Sequence, residues 1–285
     1  MRRILVPTDF SQNASKALAY AAELASASGA TIYLLHVIEP SLNMATMQTD
    51  SLSRKVIEKS SENLQLAVQA ARKVYPKTTI IPHLEGGKIV DAILGYASKK
   101  RAGLIIMGTK GAGGLKKFFL GTVAANTVER ARIPVLTIPV SYEVSKPGVV
   151  LFATNQFEKS KRLLNKLMAI PLLFKAKVHV VAYKEKGIPE AADYLYNEEQ
   201  IKNYLRFLKE NYPSVSFKGT LLEGASFGKN IEAYCDKNGC DIIAMVPYPK
   251  SLYEKILRRS ETKRLIFHST KPVMALPAIP LAFNP

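Results

Sequence analysis

The sequence predicts two consecutive α/β domains of one plan, each a parallel sheet with helices on both faces. Three observations lead there. A chain of 285 residues is too long for one ordinary small domain and suits two of about 140. Short apolar runs alternate with helix-like stretches, the pattern of parallel strands joined by helical crossovers. Landmarks of the first half then recur, in order, in the second.

In the first half the strands fall near residues 2–7, 31–37, 78–84, 103–107 and 134–138, and the helices near 12–28, 51–74, 87–100 and 122–131. Ser11 or Asn13 is positioned to cap the first helix, and Gly29 stands just past its end as a stop. Leu18, Ala21, Ala22 and Ala25 share one helical face and are small enough to pack closely on a sheet. In the second half, residues 150–155 (Val-Leu-Phe-Ala-Thr-Asn) correspond to 4–9 (Ile-Leu-Val-Pro-Thr-Asp). Glu223-Gly224 matches Glu85-Gly86, residues 241–245 mirror 103–107, and Lys271–Met274 mirrors Ile133–Leu136. The polar stretch Val140–Lys146, leading into Pro147-Gly148, marks the boundary, giving domains at 1–142 and 147–285.

Composition narrows the class. Hydrophobic content of 47% with mean hydropathy of +0.01 fits a globular protein whose halves can each bury a core. No apolar run reaches the roughly 20 residues that cross a bilayer, so no membrane partner is expected. Pro7 and Asp9 interrupt any signal-like apolar segment after Arg2-Arg3, which points to a strand and a cytoplasmic protein. The two cysteines, Cys235 and Cys240, have no ligand cluster beside them and read as buried free thiols. A net charge of +17 favours loose contact with polyanions. No aromatic RNA-binding signature, zinc finger or dense arginine run accompanies it, so specific nucleic-acid recognition is not expected.

The segment Met107–Leu115, continuing to Gly121-Thr122, is the strongest chemical signal. A buried-strand run precedes it and a helix-like stretch follows. Glycines let backbone N–H groups approach an anion, and the helix start adds unpaired donors and the positive dipole end. The spacing of Gly108, Gly111 and Gly121-Thr122 is neither a Walker A loop nor the dinucleotide Gly-x-Gly-x-x-Gly. A merely structural turn is the competing explanation.

That spacing resembles the nucleotide loop of the universal stress protein family, in its ATP-binding branch. Residues 4–11 resemble the family's first strand and turn, Leu34–Ile38 its second strand, and Ile133–Leu136 its last. The resemblance implies a tandem protein, each half a flavodoxin-like, Rossmann-like doubly wound domain of five parallel strands in the order 3-2-1-4-5. Family members pair as dimers, which implies an intramolecular pseudo-dimer and leaves further homodimerisation open. The loops after the first and fourth strands should then meet at the point where the strand order reverses.

Carried over residue by residue, Pro7, Thr8 and Asp9 would line the nucleoside side, and the Asp9 carboxylate would take ribose hydroxyls or a metal-bound phosphate. Val37 would offer backbone groups to the adenine edge, and Met107 and Gly108 would border base and ribose. Gly111, Gly121, Thr122 and Val123 would hold phosphates. Lys110, Lys116 and Lys117 are candidates for charge around the phosphate tail, or are simply solvated. The implied cofactor is ATP, with ADP and AMP as alternatives and Mg²⁺ as a companion.

In the second half the positions of Gly108, Gly111 and Gly121 become Val246, Pro249 and Arg259, Ser260 stands for Thr122, and Asn155 for Asp9. This reads as a degenerate copy unable to bind ATP in the family manner, although Arg258, Arg259, Lys263 and Arg264 keep it basic enough for another anion. Residues 38–53, with Met44 and Met47, and 184–197, with Tyr194–Tyr196, read as excursions that cover the pocket or the domain interface. His36, His83 and His179 lie in expected strands, and with His268 they form no catalytic constellation. The expectation is a nucleotide-responsive stress module with no dedicated catalytic residue. A nucleotide-independent structural adaptor and a very weak ATPase are the alternatives.

Overall fold

The computed structural model describes residues 2–39, 50–109, 121–185, 198–247, 265 and 269–278. The chain divides into two compact units, Met1–Ser145 and Lys146–Pro285.

The first unit runs β1 (Arg3–Pro7), α1 (Gln12–Ser28), β2 (Thr31–Ile38), α2 (Asp50–Val74), β3 (Ile80–Gly86), α3 (Ile89–Lys99), β4 (Leu104–Gly108), α4 (Thr122–Arg130) and β5 (Val135–Ile138). Its strands are parallel in the order β3-β2-β1-β4-β5. The first crossover turns one way from β1 and the later ones turn the other way from β4, so the two central strands flank a topological switch. Alternate strand residues face opposite sides of a sheet. Leu5, Leu35, Ile105 and Met107 share a cluster with Ile93, Tyr96 and Ala97 of α3 and Ala124 of α4. On the other side α1 packs over β1 and β4 and against α2.

Local sequence explains the boundaries. Ser11, not Asn13, caps α1, its Oγ accepting the Ala14 N–H at 3.2 Å. Gly29 ends α1 at φ 67°, a left-handed geometry that glycine adopts without Cβ strain. Leu18, Ala21, Ala22 and Ala25 are buried, as their shared face requires. At the end of α3 the Ala102 N–H donates to the Ala97 carbonyl at 2.9 Å around Arg101 at φ 49°.

The second unit runs β6 (Val149–Ala153), α5 (Lys161–Leu167), α6 (Ala169–Phe174), β7 (Lys177–Glu185), α7 (Glu198–Asn211), β8 (Phe217–Gly224), α8 (Phe227–Asn238), β9 (Ile242–Met245) and β10 (Val273–Ala275). Its parallel order, β8-β7-β6-β9-β10, repeats that of the first. The counterpart of α1 is broken in two at Met168. Pro171 cannot donate to the Leu167 carbonyl and its ring crowds that oxygen, so a continuous helix is interrupted there.

The stop after α8 repeats that after α3, with Cys240 N–H donating to the Cys235 carbonyl at 2.9 Å around Gly239. Both cysteines are buried and unoxidised. A thiol–thiol hydrogen bond that Cys235 donates to Cys240, together with burial, pushes the Cys235 thiol up, so it stays protonated. Among the described residues no helix is long and apolar enough to cross a membrane.

Candidate functional site

The carboxyl ends of β1 and β4 lie side by side in the first unit, and β1 opens into a short, heavily bonded turn. After β1, the Thr8 N–H extends the ladder to the Leu35 carbonyl at 2.8 Å. The Thr8 Oγ1 then accepts from Phe10 N–H at 3.0 Å, and Asp9 Oδ1 from Ser11 N–H at 3.1 Å. Small polar side chains of this kind build turns by replacing backbone partners. Phe10 is held at φ 63°, a region costly for a residue with a Cβ. Its ring lies 4.4 Å from that of His36, whose Nδ1 donates to the Thr8 carbonyl at 2.8 Å. His36 thus braces the turn from β2, and Asp9 is left exposed at its crest.

On the β4 side, Gly108 is demanded by packing. A Cβ there would meet Asn13 Nδ2 at 2.6 Å and Asn13 Cγ at 2.8 Å, so the first turn of α1 approaches β4 only because residue 108 has no side chain. Asn13 is itself buried, with Nδ2 3.5 Å from the Thr109 Oγ1. Thr109, just past β4, accepts at its carbonyl from the Gly121 N–H at 2.9 Å. Gly121 is the N-cap of α4, with extended φ −60° and ψ 136°, and brings no capping side chain. Thr122 is exposed and Val123 half-buried.

Pro7, Thr8, Asp9, Met107, Gly108, Gly121, Thr122 and Val123 therefore gather at the β1–β4 switch. Val37 joins them from the adjacent strand, two residues past Leu35, the partner of the last β1 residue. Leu35 accepts from the β1 side, and by strand alternation the backbone groups of Val37 face the same way. The side chains of Val37, Met107 and Val123 belong to the α3–α4 core cluster, and Met107 is only 5% exposed. Gly111, Lys110, Lys116 and Lys117 lie outside the described residues. So do Met44, Met47, Tyr194–Tyr196, Pro249, Arg258, Arg259, Ser260, Lys263, Arg264 and His268.

Sequence reasoning missed the supporting residues. Asn13, Phe10, His36 and Thr109 carry no motif; Asn13 and Thr109 meet only when α1 is brought onto β4, and Phe10 and His36 only when β1 pairs with β2. The two other described histidines, His83 and His179, pair with side chains within the fold. His83 Nε2 lies 3.0 Å from Glu85 Oε2 and stacks on Tyr96, while His179 Nδ1 lies 3.2 Å from the Tyr234 hydroxyl. Burial, reinforced by Lys218 and Lys177, lowers the His179 pKa below the usual histidine value. Among the described residues no group of three His, Cys, Asp or Glu could hold a metal ion. An open cavity of about 400 Å³ lined by Glu85, Gly87, Lys88, Asp91 and Tyr96 lies beside β3 and α3.

Comparison with known proteins places these features. Residues 1–139 match the model of the universal stress protein family. The chain is 30% identical over 139 residues to a universal stress protein of Methanocaldococcus jannaschii, covering 48% of this chain and 81% of the relative. It is 32% identical over 144 residues to one of Thermus aquaticus, covering 48% of this chain and 98% of the relative. A solved universal stress protein from Archaeoglobus fulgidus covers 96% of this chain and 98% of its own with a TM-score of 0.69 at 22% identity, a likeness of fold.

Proposed function

The chain belongs to the universal stress protein family, and from that premise we propose that its first unit binds an adenine nucleotide, ATP foremost, as a stress-response module. The observation that carries the reading is the convergence at one sheet edge of the Thr8–Ser11 turn and the start of α4 behind a glycine cap. With Gly121 as N-cap, no capping side chain competes for the first N–H groups of α4, which suit a phosphate together with the helix dipole. Exposed Asp9 suits ribose hydroxyls.

In this reading Asp9, Thr8 and Pro7 face the nucleoside, Val37 gives backbone groups to the base, and Met107 and Gly108 form the floor. Gly111, Gly121, Thr122 and Val123 hold the phosphates. Mg²⁺ would arrive on the phosphates, since the described residues supply no metal cluster of their own. The bound nucleotide would supply occupancy as a signal, and no hydrolytic step is part of the proposal. The second unit, built on the same fold, is read as a copy that does not take ATP.

Calorimetric titration of Mg²⁺–ATP into the chain and into Gly121→Arg tests this. One site per chain, lost in the variant, is the expected result. A folded wild-type chain that takes up no nucleotide would sink the reading.

A further inference from the structure

The turn after β6 contains an arrangement for which the first unit has no chemical equivalent. Registers fix the correspondence: Ala153 pairs with Val181 as Pro7 pairs with Leu35. Thr154 N–H donates to the Val181 carbonyl at 3.0 Å as Thr8 does to Leu35. One residue further, Asn155 stands where Asp9 does, and Tyr183 where Val37 does. Asn155 Nδ2 donates to the Tyr183 carbonyl at 2.8 Å, and the Tyr183 N–H donates to Asn155 Oδ1 at 2.9 Å. A carboxamide is a planar group with a donor and an acceptor side by side. Here it meets both backbone groups of one strand residue beyond the last paired residue of β6.

Tyr183 is also fixed from its other end. Its hydroxyl donates to the Gly224 carbonyl at 2.7 Å and lies 3.3 Å from Asn230 Nδ2, while its ring packs on Phe227 at 5.3 Å. It is 6% exposed. A carboxylate, as at Asp9, has no proton to give a backbone carbonyl and cannot make the reciprocal pair.

We infer that Asn155 is a built-in occupant of the second unit: its carboxamide takes the backbone edge that the corresponding residue of the first unit offers to a nucleobase. The inference rests on the nucleotide reading of the Val37 edge. It closes the second unit at the base position, independently of the glycines lost from its loop. The chain then takes one nucleotide, and the second unit holds a ligand-like local geometry at all times.

Residue-resolved amide hydrogen exchange on the full chain tests it, with Val178, whose N–H bonds the Ser216 carbonyl, as internal reference. Without nucleotide, Tyr183 should be protected in the wild type and exchange at least about tenfold faster in Asn155→Ala. In Asn155→Asp, protection relative to Val178 should be close to wild type at acid pH and fall as the carboxyl ionises. A protonated carboxyl donates and accepts like the amide, whereas a carboxylate oxygen in the place of Nδ2 faces the Tyr183 carbonyl oxygen with no proton between them, and that repulsion opens the pair. That titration keeps the test sound even if Asn155→Ala folds poorly. Equal Tyr183 exchange in wild type and Asn155→Ala, a pH-independent Asn155→Asp, or two ATP bound per wild-type chain would overturn the inference. Mg²⁺–ATP should also protect Val37. If the variants behave as expected but Val37 does not respond, the nucleotide reading fails and Asn155 reduces to a structural clamp. If Val37 responds and Tyr183 ignores Asn155, only this inference falls.

Discussion

The turns that follow β1 and β6 begin alike and finish differently. In each, a threonine extends the ladder with its N–H and accepts a following backbone N–H on its hydroxyl. In the first unit Asp9 then folds back onto Ser11 and α1 starts at Gln12. In the second, Asn155 reaches across to Tyr183, the chain runs on through residue 160, and α5 starts at Lys161. The lesson is chemical. An acceptor-only group turns onto its own loop, whereas a group that also donates can complete a strand edge. The earlier start of α1 also brings Asn13 onto β4 and obliges residue 108 to be glycine. The second unit has Val246 at that position.

The hardest test of this contrast exchanges residues between the units. Gly121→Arg, the second unit's residue, should weaken nucleotide binding on the order of 100-fold or abolish it, about 2.7 kcal/mol or more, read by calorimetry. Gly108→Val should destabilise the first unit by about 1–3 kcal/mol, because its Cβ overlaps Asn13 in a packed interior. Thermal unfolding will show this, and the reverse change, Val246→Gly, should cost less than about 1 kcal/mol. Asp9→Asn supplies the missing donor. It should lower nucleotide affinity about tenfold, or about 1.4 kcal/mol, and give Val37 amide protection before nucleotide is added.

The smallest effect concerns pH. His179 pairs edge-on with Tyr234, as Tyr33 does with Tyr96 in the first unit. Because burial and then Lys218 and Lys177 lower the His179 pKa, the unfolded chain binds a proton there that the folded chain resists. That contribution to stability is complete above the ordinary histidine pKa and is lost as pH falls below it. His179→Gln should therefore flatten the fall in unfolding free energy between about pH 7 and pH 5, by less than about 1 kcal/mol, read by denaturant unfolding. An unchanged slope would show that this pair does not distinguish the units.

Much of the fold was legible because crossover helices and buried strands leave strong periodic signals, and caps such as Ser11 and Gly29 punctuate them. Gly108 was legible as special but for an incomplete reason. The loop spacing pointed to phosphate, whereas its tightest neighbour is a helix side chain 95 positions away in sequence. Asn155 was noticed only for the charge it lacks. Its pairing with Tyr183 depends on the β6–β7 register, which no local pattern encodes. The break at Met168 has its local cause in Pro171, which removes a helix donor, and the repeat by itself gives no sign of it.

The cysteines have a practical consequence. The chain has two thiols, both in the second unit and both within 1% of complete inaccessibility. They stand where the first unit has Ala97 and Ala102, at the same helix stop. An alkylating reagent can reach them only after α8 lifts from the sheet, so the labelling rate is a clock for the opening of that half alone. The protein thus carries an intrinsic reporter in its second repeat and none in its first, and can be timed one repeat at a time without adding a probe.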